Sequence, residues 1–225
     1  MQNGQERKPD LLCSLEKEGF LGSFYRGDRY VDKAIIFVGG SGEPRNVVEA
    51  RAAILAREGY SVLAVGYYLW KPLSKQTVAI PLDYAERAIG WLKEKCPVKI
   101  TKIGMIGLSL GAAYTALCGA YFPQIDCAVV VSGFDFVVEG CKNMVMRQHK
   151  SYFTLHGENI PYEPAEALSH LPATLKKWKK DPRYGSKAMN RFYYNECFKN
   201  RTDASRIRVE NGNCDWMAVP CTGLR

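Results

Sequence analysis

The strongest indication of how this chain folds is the segment Lys102-Ile103-Gly104-Met105-Ile106-Gly107-Leu108-Ser109-Leu110-Gly111-Ala112-Ala113. Its apolar first half is typical of a buried strand, and its small residues at the end are typical of a closely packed helix. Between them the pattern Gly-x-Ser-x-Gly indicates a sharp strand-to-helix turn that exposes a nucleophilic serine. We therefore predict that Ser109 is a nucleophile. The alternative is a glycine-rich turn in which Ser109 only caps the helix.

Four short apolar runs alternate with segments of helical periodicity, and the predicted strands cover residues 34–38, 61–65, 102–106 and 126–131. The helices between them are predicted to begin at Asn46, at Pro81 and at Ser109. After its first residue each predicted strand consists of apolar residues and glycine, as in strands buried on both faces. The fold class predicted is therefore α/β, with a mostly parallel, doubly wound sheet whose ligands bind at the carboxyl ends of the strands.

The periodicity divides the chain unevenly. We expect an N-terminal extension over residues 1–20 and an α/β domain over 21–210 that includes an irregular insertion at 135–185. Residues 211–225 are expected to form an atypical tail. Short helices are predicted near 163–171 and 186–200, where apolar residues recur at helical spacing.

Composition excludes several classes of protein. Hydrophobic residues make up 47% of the chain, but no run of 18 apolar residues predicts a membrane span. The first ten residues are polar and lack the apolar core of a signal peptide. The eight cysteines show no Cys-x-x-Cys spacing, which favours reduced thiols and a cytoplasmic location. We expect neither a metal site nor a cofactor.

The net charge of +8 is concentrated in one basic segment, residues 176–187, which includes Lys176-Lys177-Trp178-Lys179-Lys180. Such a segment is a solvated surface, a rim for an anionic small molecule, or a nucleic-acid footprint. No nucleic-acid motif accompanies it, so we predict no nucleic-acid partner.

A serine nucleophile needs an oxyanion hole, and two sources of backbone N–H groups are available. One is Leu110, at the start of the predicted helix. The other is the loop Gly39-Gly40-Ser41-Gly42, most directly around Ser41 or Gly42. The alternative for this loop is a simple turn between strand and helix.

The acid and the base are harder to assign. In this type of site the acid follows the serine along the chain and a histidine follows the acid. The histidines are His149, His156 and His170, and none follows Asp215, the tentative acid. The general base is therefore not identified, and each histidine stays a candidate.

Four pieces of the chain between residues 20 and 135 resemble a known family. They are Ile35-Ile36-Phe37-Val38-Gly39-Gly40-Ser41-Gly42, Leu55-Ala56-Arg57-Glu58-Gly59-Tyr60, Ala64-Val65-Gly66-Tyr67-Tyr68 and Ile103-Gly104-Met105-Ile106-Gly107-Leu108-Ser109-Leu110-Gly111. Together they resemble the carboxyl-terminal catalytic domain of acyl-CoA thioesterases and bile acid-CoA:amino acid N-acyltransferases, within the α/β-hydrolase superfamily. The resemblance implies that Ser109 attacks an acyl thioester. The resemblance implies that acyltransferases of this family carry cysteine at the position of Ser109. A serine there favours release of the acyl group to water.

The same resemblance implies an acid in a Gly-x-x-Asp turn, which Gly212 to Asp215 matches, and a later histidine that has no counterpart here. The carboxyl-terminal strands of the fold are therefore expected to be incomplete. A second alignment of this chain with the family pattern is possible. In it, residues 207–211 correspond to the segment before the acid-bearing strand, and Asp215 is then not the acid.

These observations leave three hypotheses. The first is a serine hydrolase that acts on a small acyl-CoA or ester substrate through an acyl-Ser109 intermediate. The second is a truncated, catalytically silent α/β-hydrolase-like domain that binds ligands or partners, which the missing histidine favours. The third is a carboxylesterase similar to dienelactone hydrolases, and only the family resemblance favours thioesters over it.

Overall fold

The computed structural model describes residues 7–133, 136–142, 146–162 and 215–219. Within these ranges the helices are α1 (Arg45–Arg57), α2 (Asp83–Glu94) and α3 (Leu110–Tyr121). The strands are β1 (Leu11–Cys13), β2 (Leu21–Tyr25), β3 (Tyr30–Val38), β4 (Tyr60–Gly66), β5 (Ile80–Pro81), β6 (Lys102–Leu108), β7 (Cys127–Val131), β8 (Glu139–Lys142), β9 (Met146–Ser151), β10 (Phe153–Leu155), β11 (Glu158–Asn159) and β12 (Asp215–Val219).

Seven strands form the central sheet, in the order β1-β2-β4-β3-β6-β7-β12. The five strands from β4 to β12 run parallel to one another, and β1 and β2 continue the sheet antiparallel at one edge. The four apolar runs predicted as strands are β3, β4, β6 and β7, at the centre of this sheet. The predicted α/β class with a mostly parallel sheet is confirmed.

Helices cover both faces of the sheet. On one face α1 buries Val48, Ala52 and Ala56 against alternate residues of β3 and β4. On the opposite face α2 and α3 pack together, and Trp91 of α2 lies edge-on to Phe24 of β2 with ring centroids 5.5 Å apart. Alternate side chains of the central strands therefore enter separate cores, which explains why apolar residues occur on both faces of these strands.

Two predicted helix starts are wrong. The residue that caps α1 is Pro44, and Asn46 lies inside the first turn. Pro44 has φ −72° and ψ 162°, and its carbonyl accepts the Val47 N–H at 3.1 Å, so the chain enters the helix from the proline. Pro81 belongs to β5, which pairs in parallel with β10, and α2 begins two residues later at Asp83. Pairing with β10, which is distant in sequence, thus shifts the start of α2 toward the carboxyl end of the chain.

Strands also lie where sequence periodicity predicts none. β1 lies in residues 1–20, which were predicted to form an N-terminal extension. β12 lies in residues 211–225, which were predicted to form an atypical tail. The 135–185 insertion contains the antiparallel pair β8–β9 and the β10–β11 hairpin, which joins β5 in a second, three-stranded sheet. The helices predicted near 163–171 and 186–200 fall outside the described residues. Among the helices that the structure describes, none combines the length and apolar character needed to cross a membrane.

Candidate active site

Ser109 occupies a strained turn between β6 and α3. Its φ is 52° and its ψ is −114°, a conformation that residues with a side chain rarely adopt and that costs about 1–3 kcal/mol. Its N–H donates to the carbonyl of Val131 at 2.9 Å, and its own carbonyl accepts the Ala112 N–H at 3.0 Å. Ser109 is exposed and its side chain makes no capping hydrogen bond to α3, which removes the main support for a purely capping role.

The two glycines of the Gly-x-Ser-x-Gly pattern permit this turn by close backbone approach. A Cβ on Gly107 would lie 2.0 Å from the Gly111 carbonyl oxygen, and one on Gly111 would lie 2.3 Å from the Gly39 carbonyl oxygen. Both separations are far shorter than any real contact of a Cβ atom. The packing of β6, α3 and the loop after β3 therefore requires glycine at both positions and holds the serine in its strained conformation.

The glycine-rich loop at residues 39–42 lies directly beside the serine. A Cβ built on Gly40 would stand 3.4 Å from the Cβ of Ser109. The Gly40 N–H donates to Oε2 of Glu43 at 2.9 Å, and Glu43 is itself paired with Arg51. This carboxylate closes the turn from within and anchors it to α1.

Two tyrosines at the end of β4 hold the same loop from the other side. The Tyr67 hydroxyl donates to the Gly39 carbonyl at 2.9 Å, and the Tyr68 hydroxyl accepts the Gly42 N–H at 2.9 Å. Burial raises the pKa of Tyr67 well above its usual range, and burial also raises the pKa of Tyr68. Both hydroxyls therefore stay protonated at neutral pH, and Tyr67 remains a hydrogen-bond donor.

These contacts narrow the choice of oxyanion donors. The Gly42 N–H is already bound to Tyr68, and the Gly40 N–H to Glu43. The Ser41 N–H has no hydrogen-bond partner among the described residues. The Leu110 N–H belongs to the first residue of α3, where a helix supplies no internal acceptor. Of the predicted donors, Leu110 and Ser41 are therefore available and Gly42 is not.

No histidine of the described residues is hydrogen-bonded to Ser109. His149 has a ring that is 77% exposed, and its Nδ1 lies 3.5 Å from the buried carboxylate of Glu139. Nε2 of His156 lies 2.8 Å from Oε2 of Glu86 on α2. His170 and the basic 176–187 segment are outside the described residues.

The structure does not bring Asp215 and Ser109 together. β12 is parallel to β7, with Asp215 opposite Cys127 and Val219 opposite Val131. The serine follows the end of β6, which is level with Val131. Asp215 thus lies four residue steps, about 13 Å in the strand direction, before the level of Val131, at the amino ends of the parallel strands. In this register Asp215 is not at the carboxyl edge of the sheet, where Ser109 lies.

Sequence reasoning assigned no role in the site to Glu43, Tyr67 or Tyr68. Their signal is positional, since Glu43 comes just after the glycine loop and the tyrosines come just after β4. Residues that follow parallel strands gather at the carboxyl edge of the sheet, where ligands bind.

Comparison with known families agrees with this geometry. The family model described as "BAAT / Acyl-CoA thioester hydrolase C terminal" matches residues 80–223, nearly two thirds of the chain. The chain therefore belongs to this family of the α/β-hydrolase fold. The matched range includes β6, Ser109 and α3.

Curated relatives share a shorter stretch. Acyl-coenzyme A thioesterase 1 of Mus musculus is 32% identical over 87 residues, which are 39% of this chain and 21% of that protein. The peroxisomal succinyl-coenzyme A thioesterase of Mus musculus is 32% identical over 90 residues, or 40% of this chain and 21% of that protein. The matched region thus spans about a fifth of the length of these relatives.

Among solved structures, the Pyrococcus furiosus esterase Pf2001 is 18% identical, with a TM-score of 0.44 over 98% of this chain and 90% of that one. The α/β hydrolase GrgF from Penicillium sp. sh18 is 19% identical, with a TM-score of 0.43 over 52% of this chain and 42% of that one.

Proposed function

We propose that this chain provides the nucleophile of an acyl-CoA thioester hydrolase. The Ser109 hydroxyl oxygen attacks the thioester carbonyl, the carbon–sulfur bond breaks, and the CoA thiol leaves with the proton. Water then hydrolyses the serine ester, releases the carboxylic acid and restores the hydroxyl. The observation that carries the proposal is an exposed serine in a strained turn, held by backbone contacts at both flanking glycines, in a chain of this family.

The oxyanion of the tetrahedral intermediate is assigned to the N–H groups of Leu110 and Ser41. Leu110 adds the positive end of the α3 dipole to its hydrogen bond, because it is the first residue of that helix. Ser41 is held in place by the bonds that its neighbours make to Glu43 and Tyr68. Donors that are fixed in advance stabilise developing charge without reorganisation, and removing one costs about 10²–10³-fold in turnover in serine hydrolases.

The substrate class follows from the family and from charge. CoA carries several phosphate charges, and the chain has a net charge of +8 that is concentrated in residues 176–187. We assign this segment to the CoA phosphates. Binding of CoA should then weaken as salt is raised, because exposed charge pairs are screened beyond about 10 Å at 0.1 M salt. Affinity that does not depend on salt would contradict this assignment.

The first experiment is active-site labelling with a fluorophosphonate, read by intact mass. The wild-type chain is compared with Ser109→Ala and with Ser74→Ala, which removes an exposed serine from a turn remote in sequence. We expect one adduct on the wild type and on the control variant, and none on Ser109→Ala. A folded wild-type chain that takes no adduct would refute the proposal and favour the silent binding domain.

Hydrolysis assays then separate thioesters from oxygen esters and identify the base. Acyl-CoA and a nitrophenyl ester with the same acyl group are compared, and Ser109→Ala should lower turnover by about 10⁴–10⁶-fold. The base is sought by replacing His149, His156 and His170 one at a time with alanine. Only loss of the serine adduct in one of them identifies it.

A further inference from the structure

A cluster of metal-ligating side chains lies outside the serine site. Asp83 and Glu86 stand in the first turn of α2, and His156 stands in the turn between β10 and β11. One donor atom from each side chain lies within 4.8 Å of the other two. Nε2 of His156 is 2.8 Å from Oε2 of Glu86, and the His156 N–H donates to Oδ2 of Asp83 at 3.2 Å.

The fold brings these residues together from two directions. Asp83 and Glu86 are three positions apart on a helix, so they share one face. β5 leads directly into α2 and pairs with β10, with Ile80 opposite Phe153. The Leu82 N–H continues this pairing to the Thr154 carbonyl at 2.8 Å. The turn that carries His156 is therefore set over the start of the helix by backbone hydrogen bonds.

We propose that Asp83, Glu86 and His156 bind a divalent transition-metal ion of the zinc type, with water completing its coordination. One imidazole nitrogen and two carboxylate oxygens form a donor set that suits zinc. Donors at about 2.0–2.1 Å from a tetrahedral ion stand about 3.3 Å apart. The donor atoms lie within 4.8 Å of one another, so the most distant pair needs to close by at most about 1.5 Å. The side chains of Glu86 and His156 are 45% and 63% exposed, which leaves them free to do so.

Charge also distinguishes this cluster from an ordinary ion pair. Two carboxylates face a single imidazole, so a negative charge remains even when the histidine is protonated. The neighbouring guanidinium of Arg87 donates to the Gly19 carbonyl at 2.9 Å instead.

The proton competes with the metal at this site. The hydrogen bond and the charge of Glu86 raise the pKa of His156 above its usual range. A metal requires the neutral imidazole, so affinity should fall by about tenfold per pH unit below that pKa.

A bound metal would join the β10–β11 hairpin to α2 and so stabilise a support of the serine site. Phe153 of the hairpin packs on Tyr114 of α3 with ring centroids 5.8 Å apart. Tyr114 in turn lies 4.6 Å from the ring of Tyr67, whose hydroxyl holds Gly39.

The test is titration of the chelator-treated full chain with zinc by calorimetry and with cobalt(II) by absorption. The variants are Glu86→Gln, which keeps the side-chain shape, and His156→Ala. The matched control is His149→Ala, which removes an exposed imidazole that faces one carboxylate rather than two. Far-UV circular dichroism in chelator checks that each variant is folded.

We expect one ion per chain and at least tenfold weaker binding in both variants, because even outer partners of metal ligands contribute 10–100-fold. The His149→Ala variant should bind as the wild type does. Three results would overturn the proposal: no binding at millimolar zinc, equal affinity in Glu86→Gln, or a cobalt–thiolate charge-transfer band, which would place the ion on cysteines. Should His156→Ala fail to fold, the isosteric Glu86→Gln variant decides alone.

Discussion

Replacing Gly107 by alanine tests the physical basis of the serine turn. A Cβ at this position would lie 2.0 Å from the Gly111 carbonyl oxygen and 2.3 Å from Oγ1 of Thr115. Ordinary van der Waals contact begins at about 3.4 Å, so the added Cβ would be about 1.4 Å too close to the Gly111 carbonyl oxygen. Because the Gly111 oxygen is backbone, relief requires β6 and α3 to separate.

The expected loss of unfolding free energy is about 3 kcal/mol, at the upper end of the cost of overpacking a core. For a domain of this size that corresponds to a decrease in Tm of about 6–12 °C. Separation of β6 from α3 also relaxes the constraint on Ser109, so the fluorophosphonate adduct should form more slowly even well below the Tm.

Gly104→Ala is the matched control on the same strand. Its Cβ would meet nothing closer than 3.8 Å, the distance to the Cys127 carbonyl oxygen. Its unfolding free energy should stay within about 1 kcal/mol of the wild type, and a gain is expected because alanine restricts the unfolded chain. Both variants are measured by thermal and urea unfolding and by time-resolved labelling. Equal Tm and labelling rates for the two variants would refute the argument that backbone contact at Gly107 maintains the turn.

Three further outcomes are expected. Tyr68→Phe removes the acceptor of the Gly42 N–H, so fluorophosphonate labelling of Ser109 should slow. Urea unfolding should show a loss of only about 0.5–1.5 kcal/mol in the free energy of unfolding. An unchanged labelling rate would show that the glycine-rich loop at residues 39–42 does not depend on this hydrogen bond. By NMR, the pKa of His156 should lie above its usual range in the wild type and return toward that range in Glu86→Gln. The stability that the His156–Glu86 pair gives to the β10–β11 hairpin should be present below the usual histidine pKa and should be lost as pH rises through the raised pKa. Identical His156 titrations in the wild type and in Glu86→Gln would contradict the pairing. Burial raises the pKa of Cys13 to about 12, so peptide mapping after iodoacetamide at pH 8 should show it reacting far more slowly than an unhindered thiol, and rapid modification would be inconsistent with its burial.

The central sheet and the serine turn were accessible from sequence because their signals are local. Each of the four central strands contains a continuous run of apolar residues and glycine, and the turn at Ser109 is marked by glycines two residues away on either side. The edge strands gave no such signal. β1 is three residues long and largely exposed, and its pairing with β2 rests on backbone hydrogen bonds that any sequence can make.

The start of α2 shows how tertiary pairing overrides a local preference. Proline is favoured at the first position of a helix, which is why Pro81 predicts a helix start. In the structure Pro81 pairs with Thr154 of β10, more than seventy residues away, and the helix begins only after this pairing ends.

The strand-to-helix turn at Ser109 and the class of fold could be predicted from the sequence, because glycine spacing and apolar runs act through neighbouring residues. Which N–H groups near the serine are available depends instead on contacts between distant parts of the chain. The Gly42 N–H is taken by a tyrosine 26 residues away, and no pattern within the loop could indicate this. The position of Asp215 relative to Ser109 likewise depends on the register of β12 against β7. The same strand paired in a different register would place Asp215 nearer to the other end of the sheet.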